Sequence, residues 1–173
     1  MLKNISYFIS ANPHVQKKLF LELKQVMPRP SDHPNLQELE NLPYLNAVIR
    51  EGLRLCHPVT HRISRAFPDK TLMYHDQAIP AGTNVNMTSM LIHENEDIFP
   101  DPMVFRPERW LGNESLQRYL LPFSKGSRSC LGINLAWAEM YLIVASVYRR
   151  FDFDVSDVSR ERDINIVKVR QTI

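Results

Sequence analysis

Apolar residues return every three or four positions through residues 13–26, with Val15, Leu19, Leu23 and Val26 sharing one face. That period predicts an amphipathic helix. Asn12 and Pro13 open it well, because asparagine suits the N-cap and the missing proline N–H is harmless at the first helical position. Pro28 and Pro30 end it, and residues 31–35 read as a polar loop. A second helical pattern opens near Pro43 and runs to about Cys56 through Tyr44, Ala47, Val48, Glu51 and Leu55. His57 and Pro58 stop it, since proline lacks an N–H and disfavours helix at the residue before it. Residues 131–150 form the longest helical pattern, largely apolar, with Leu135, Ala138, Leu142, Ala145 and Val147. Arg149 and Arg150 close it and suit the negative end of the helix dipole.

The pattern changes over residues 59–90. Short β-leaning runs at 71–74 and 85–90 are separated by turn residues at Asp76, Gln77, Pro80, Ala81 and Gly82. They predict a small antiparallel sheet. Residues 99–122 are rich in proline and charge, but Phe99, Phe105, Trp110 and Tyr119 punctuate them, so ordered coil is expected rather than a linker. Residues 151–155 alternate like a half-exposed strand, and residues 164–169 offer a second. The predicted class is therefore mainly α with a small antiparallel β-sheet.

Composition narrows the function classes. The 173 residues match one ordinary domain, and 44% hydrophobic content supports a core. A net charge of +2 without a Lys/Arg cluster gives no nucleic-acid footprint. The first ten residues lack a signal-peptide core, and no window is long and apolar enough to span a membrane. The two cysteines, Cys56 and Cys130, form no Cys-x-x-Cys pair, which excludes a zinc ribbon. The sequons at Asn4, Asn86 and Asn113 read as chance matches.

The chemistry concentrates at Phe123-Ser124-Lys125-Gly126-Ser127-Arg128-Ser129-Cys130-Leu131-Gly132. A cysteine stands there between two glycines, just ahead of a long helix. A helix N-terminus supplies partial positive charge and free N–H groups, which suit a thiolate metal ligand. Gly126 and Gly132 let backbone approach a flat cofactor, and Arg128 suits a cofactor carboxylate. A nucleophilic cysteine is the rival reading, but it needs a histidine base. None of the six histidines is placed for that role. His57 and His61 do not form a metal-binding helix face, because Pro58 breaks the helix between them. Glu51 and Arg54 lie on the apolar side of the second helix, where a charged pair calls for a buried partner network.

The spacing Phe-x-x-Gly-x-Arg-x-Cys-x-Gly resembles the haem-binding loop of the cytochrome P450 family, the haem-thiolate monooxygenases. The resemblance extends over essentially the whole chain. It includes the Glu51-x-x-Arg54 pair, the turn at residues 79–83 and the Pro107-Glu108-Arg109 segment, and its wording is closest to fungal members. The resemblance implies that Cys130 is the iron ligand of haem b, with Phe123, Gly126, Arg128, Gly132 and Arg65 contacting the cofactor. It implies that Glu51, Arg54 and Arg109 form a structural triad, and that Val59 and Thr60 face the substrate.

Residues 1–173 are then expected to be a single partial domain, the C-terminal, proximal half of the fold. The expected absentees are the N-terminal half and the central helix whose acid–threonine pair delivers protons, so no catalytic residue is assigned here. The family implies oxygen-dependent oxidation of a small apolar organic substrate, in fungal secondary metabolism. A flavoprotein reductase would supply electrons, and the parent would sit on the cytosolic face of the endoplasmic reticulum. Two alternatives stay open: a catalytically inactive truncated or pseudogene product with at most weak haem binding, and a haem-thiolate isomerase or dehydratase.

Overall fold

The computed structural model describes residues 1–59, 62–155 and 168–171. Among the described residues six α-helices and six short strands follow one another: α1 (Leu2–Ser10), α2 (Pro13–Val26), α3 (Leu36–Glu40), α4 (Pro43–Cys56), β1 (Ile63–Arg65), β2 (Leu72–Tyr74), β3 (Gln77–Ile79), β4 (Val85–Met87), α5 (Met90–His93), α6 (Ile133–Arg150), β5 (Phe151–Asp154) and β6 (Lys168–Gln171). Single 3-10 helices at Pro107–Trp110 and Glu114–Tyr119 interrupt the coil between α5 and α6.

Helix α4 is the centre of the molecule. Tyr44, Leu45, Ala47, Val48, Ile49 and every residue from Glu51 to Cys56 are buried. Such all-round burial marks a helix enclosed by its neighbours rather than lying on a surface. Its N-cap is Leu42, which has no side-chain oxygen to offer. Glu22 of α2 caps the helix instead, its carboxylate accepting the N–H groups of Tyr44 at 2.8 Å and Leu45 at 2.7 Å. A negative charge at a helix N-terminus also complements the dipole. On its other side α4 meets α1 at Gly52, where a Cβ would lie 2.6 Å from Ile5 Cγ1. The core that these helices share joins Ile5 and Ile9 of α1, Leu19 and Leu23 of α2, Leu45, Val48, Ile49 and Leu53 of α4, and Met140, Val144 and Tyr148 of α6. At its far end α6 ties back to α2. Arg149 donates to the carbonyls of Met27 and Pro28, both at 2.6 Å, and Arg150 to Pro30 at 2.7 Å.

The expected helices over residues 13–26 and 43–56 are α2 and α4, with those bounds. Asn12 is the N-cap of α2, but its side chain turns back to donate to the Phe8 carbonyl at 2.8 Å rather than capping the helix. Helices α1 and α3 were not expected. α3 is set by a reciprocal capping box between Asn35 and Glu38. Helix α6 starts at Ile133, two residues later than expected, because the turn ahead of it continues through Leu131 and Gly132.

The expected single sheet is two separate antiparallel ladders, β1 with β4 and β2 with β3. The strand expected over 85–90 stops at Met87, and Met90 begins α5. Strand β5 occupies the expected position and pairs antiparallel with β6. The second strand expected at 164–169 coincides with β6 only at Lys168 and Val169; its earlier residues lie outside the described ones. Among the described residues, no helix is long and apolar enough to cross a membrane.

Candidate functional site

The loop at residues 123–132 hangs from one buried aromatic anchor. Phe123 is buried against the core, with its ring 6.1 Å from that of Trp137 on α6. The chain then leaves the interior through backbone conformations that few residues adopt, with φ of 61° at Ser124 and 83° at Gly126. Glycine carries no steric penalty there. The loop closes on itself. Ser129 N–H donates to the Gly126 carbonyl at 3.1 Å, and Cys130 N–H donates to the Phe123 carbonyl at 2.9 Å. Gly132 is the N-cap of α6, so Cys130 stands two residues ahead of the cap.

The two cysteines differ in environment. Both are free, but Cys130 is exposed and Cys56 is buried at the end of α4. Burial pushes the Cys56 thiol up and keeps it inert. Only Cys130 is open to a partner. Cβ atoms added at Gly126 or Gly132 would meet nothing within 4 Å, so the loop backbone faces open space. Leu131 and Leu135 beside it are exposed apolar side chains.

Helix α4 carries a buried ionic cluster. Glu51 and Arg54 are both fully buried. Arg54 donates to Glu51 through Nε at 3.0 Å and Nη2 at 2.8 Å, a two-pronged pair. Arg109 Nε adds a bond to Glu51 Oε1 at 3.1 Å, so the expected triad is brought together. Burial lowers the Arg109 pKa, while the Glu51 charge works against that shift. The cluster is larger than the triad. Trp110 Nε1 donates to Glu51 Oε2 at 2.9 Å, and the Arg106 backbone N–H to Oε1 at 3.1 Å. Glu51 thus accepts five hydrogen bonds. Both carboxylate oxygens are thereby fully engaged, three bonds on Oε1 and two on Oε2, the condition under which a buried charge is tolerable.

Arg54 also reaches outward, donating through Nη1 to the backbone carbonyl of His93 at 2.8 Å. The His93 ring is fully buried, and its Nε2 accepts the Leu121 N–H at 2.9 Å. Burial pushes the ring pKa down to about 4, with His57 and Arg54 acting the same way.

The other predicted residues are less engaged. Arg65 is exposed on β1 and donates to the Ser64 carbonyl at 2.9 Å. Arg128 is exposed in the loop, and Val59 is half-buried. Thr60 and His61 lie outside the described residues. Among the described residues, no group of three His, Cys, Asp or Glu side chains is arranged to hold a metal ion. Trp110, the Arg106 N–H and His93 were not expected at the site. Trp110 carries a signal, since a buried indole N–H needs an acceptor. The other two do not, because part of what they contribute is backbone.

Residues 2–171 match the family model for Cytochrome P450. The chain belongs to the cytochrome P450 family. Among curated P450 relatives it is 44% identical over 173 residues to Cytochrome P450 monooxygenase tpcC of Cochliobolus heterostrophus, covering 96% of this chain and 33% of the relative. It is 51% identical over 141 residues to Cytochrome P450 monooxygenase astB of Talaromyces wortmannii, covering 78% of this chain and 28% of the relative. It is 42% identical over 168 residues to N-acetyltryptophan 6-hydroxylase ivoC of Emericella nidulans, covering 92% of this chain and 32% of the relative. The chain therefore spans about a third of the length of these P450s. The family implies haem, and the residues present fit it. The sulfur is exposed, the glycine backbone is open to close approach, and exposed leucines offer an apolar bed to a flat macrocycle.

Proposed function

We propose that the chain is the cysteine-bearing, proximal part of a fungal haem-thiolate monooxygenase, a single partial domain with Cys130 as the iron ligand. The carrying observation is the exposed Cys130, set between open glycines and backed by a fully satisfied ionic cluster. When bound, haem b supplies the activation of dioxygen, with electrons from a flavoprotein reductase, for oxidation of a small apolar organic substrate. Two relatives whose names specify hydroxylation of tryptophan or N-acetyltryptophan favour an aromatic or similarly sized organic molecule, and fungal secondary metabolism as the setting.

The chain's own residues bind and orient. The Phe123–Cys130 backbone bond fixes the height of the sulfur above the core. Gly126 and Gly132 leave space for the macrocycle. Arg65 and Arg128 are the cations that would meet its carboxylates, and charge-assisted bonds of this kind are about twice as strong as neutral ones. Val59 and Thr60 are the proposed substrate-facing positions. Glu51, Arg54 and Arg109 carry no chemistry. They hold α4 against the 3-10 helix at Pro107–Trp110.

Haem titration of the 173-residue chain, read by the ferrous CO-difference spectrum, tests this. The chain should give a thiolate-type spectrum that reverses on dilution, because Cys130 and its leucine neighbours are open to water. Cys130→Ala should abolish the thiolate signature and weaken binding at least about tenfold, or ~1.4 kcal/mol. Cys56→Ala should leave the signature intact. Identical spectra for the parent chain and Cys130→Ala would overturn the assignment.

A further inference from the structure

We infer that His93 is a positioning residue for the Cys130 loop, joining the buried Glu51–Arg54 pair to the backbone of Leu121. The path is continuous. Glu51 holds the Arg54 guanidinium, and Arg54 Nη1 donates to the His93 carbonyl at 2.8 Å. The His93 ring then accepts the Leu121 N–H at 2.9 Å. The Leu121 carbonyl accepts the Ser124 N–H at 3.2 Å, and two residues past Leu121 the Phe123 carbonyl accepts the Cys130 N–H at 2.9 Å. Leu121 is thereby pinned on both sides, just where the chain turns out toward the cysteine.

The chemistry explains why a histidine stands here. Leu121 lies between the 3-10 helix Glu114–Tyr119 and Pro122, in no strand, so no ladder satisfies its N–H. A backbone donor turned into the interior needs an acceptor from elsewhere. A neutral imidazole supplies one on a compact ring; its remaining proton then sits on Nδ1, a buried atom with no hydrogen-bond partner among the described residues. The surroundings hold the ring still. Phe99 meets it edge-on at 6.4 Å, and the His57 ring lies 6.2 Å away. A carboxylate in place of the imidazole would carry a formal charge into a fully buried site, where desolvation is costly.

The inference rests on Cys130 as the ligand only for its meaning, and its test is separable from that reading. In the 173-residue chain without haem, NMR should show the His93 ring as the Nδ1–H tautomer, with Leu121 and Cys130 amides protected from hydrogen exchange. His93→Leu should speed exchange of those two amides about tenfold or more, the loss of one hydrogen bond. Amides of Ile49 and Val144 should be unchanged. His93→Gln, whose Oε1 reaches about as far as Nε2, should restore protection. With haem added, the thiolate-type fraction of the CO spectrum should fall in His93→Leu and recover in His93→Gln.

An Nε2–H tautomer in the parent chain overturns the inference, whatever the variants do. So does unchanged exchange in His93→Leu, or a His93→Gln chain whose loop amides exchange as fast as in His93→Leu. Should His93→Leu unfold throughout, the tautomer and the His93→Gln result decide. A parent chain with no thiolate spectrum refutes the ligand assignment, while tautomer and exchange still judge the link from His93 to the loop.

Discussion

His93 is a neutral ring in a fully buried site beside a charged arginine, and that arrangement sets a pH dependence. Burial lowers its pKa from the usual 6.5 to about 4, and His57 and Arg54 push the same way. His57 itself pairs with Glu94, its Nε2 lying 3.0 Å from Oε1. The unfolded chain takes up the His93 proton near the usual value, whereas the folded chain refuses it until much lower pH. In that window the unfolded state binds more protons, so stability falls as pH drops, by about 3 kcal/mol in all. Above the window His93 contributes no pH dependence. Denaturant unfolding at about pH 7 and about pH 4.5 should show the parent chain losing roughly 2–3 kcal/mol more than His93→Gln. Equal losses would refute the assignment. The residue scale also shows what the sequence could reveal of the site. Cys130 between its glycines, and Glu51 three residues from Arg54, are local spacings and were readable as such. Arg109 came only through family resemblance, because it meets Glu51 across 58 residues of chain. The His93 link stayed hidden because both of its bonds end on backbone, whose direction no side-chain pattern records.

Between elements, α1 and α4 approach closely at Gly52. Alanine is the better helix former by about 1 kcal/mol, so propensity alone would make Gly52→Ala stabilising. The contact reverses the sign. A Cβ there would sit 2.6 Å from Ile5 Cγ1, and Ile5 is itself fully buried, so one helix must move. Gly52→Ala is expected to destabilise the chain by about 1–3 kcal/mol, with faster hydrogen exchange concentrated in α1. Unfolding free energy equal to or above that of the parent would contradict this. The elements also differ in how legible they were. α2 and α4 carry three or more turns of apolar period, with proline at both entry and exit. α1 has the same kind of pattern in Ile5, Phe8 and Ile9, but only nine residues of it and no capping side chain. α3 is five residues long and announced only by the Asn35–Glu38 box. The turns that divide the β region were readable. The pairing of β1 with β4 around the β2–β3 hairpin was not, because strand partners are chosen by tertiary contacts rather than by local pattern.

At the scale of the whole molecule, α6 is apolar on two faces. Met140, Tyr141, Val144, Ala145 and Tyr148 are buried in the core. Leu135 is widely exposed on the other side, with Leu142 and Ile143 partly so, and Leu131 is exposed in the turn just ahead of the helix. Glu139 is exposed between Leu135 and Leu142, but large apolar side chains grouped on one exposed side still drive association. The two ladders of the β region carry Met73, Tyr74 and Met87 exposed as well, and an isolated two-stranded hairpin is at best marginal in water. The 173-residue chain should therefore self-associate at micromolar concentration without haem, and the outer face of α6 should be the main cause. Leu135 and Leu142 are seven positions apart and so share that face. Changing both to glutamate should shift sedimentation toward monomer and leave the unfolding free energy within about 0.5 kcal/mol per site, as for ordinary surface positions. A loss above roughly 2 kcal/mol would show that these leucines belong to the chain's own core. Undiminished association with stability retained would move its origin to the β ladders, where Met73 and Met87 are the next residues to change.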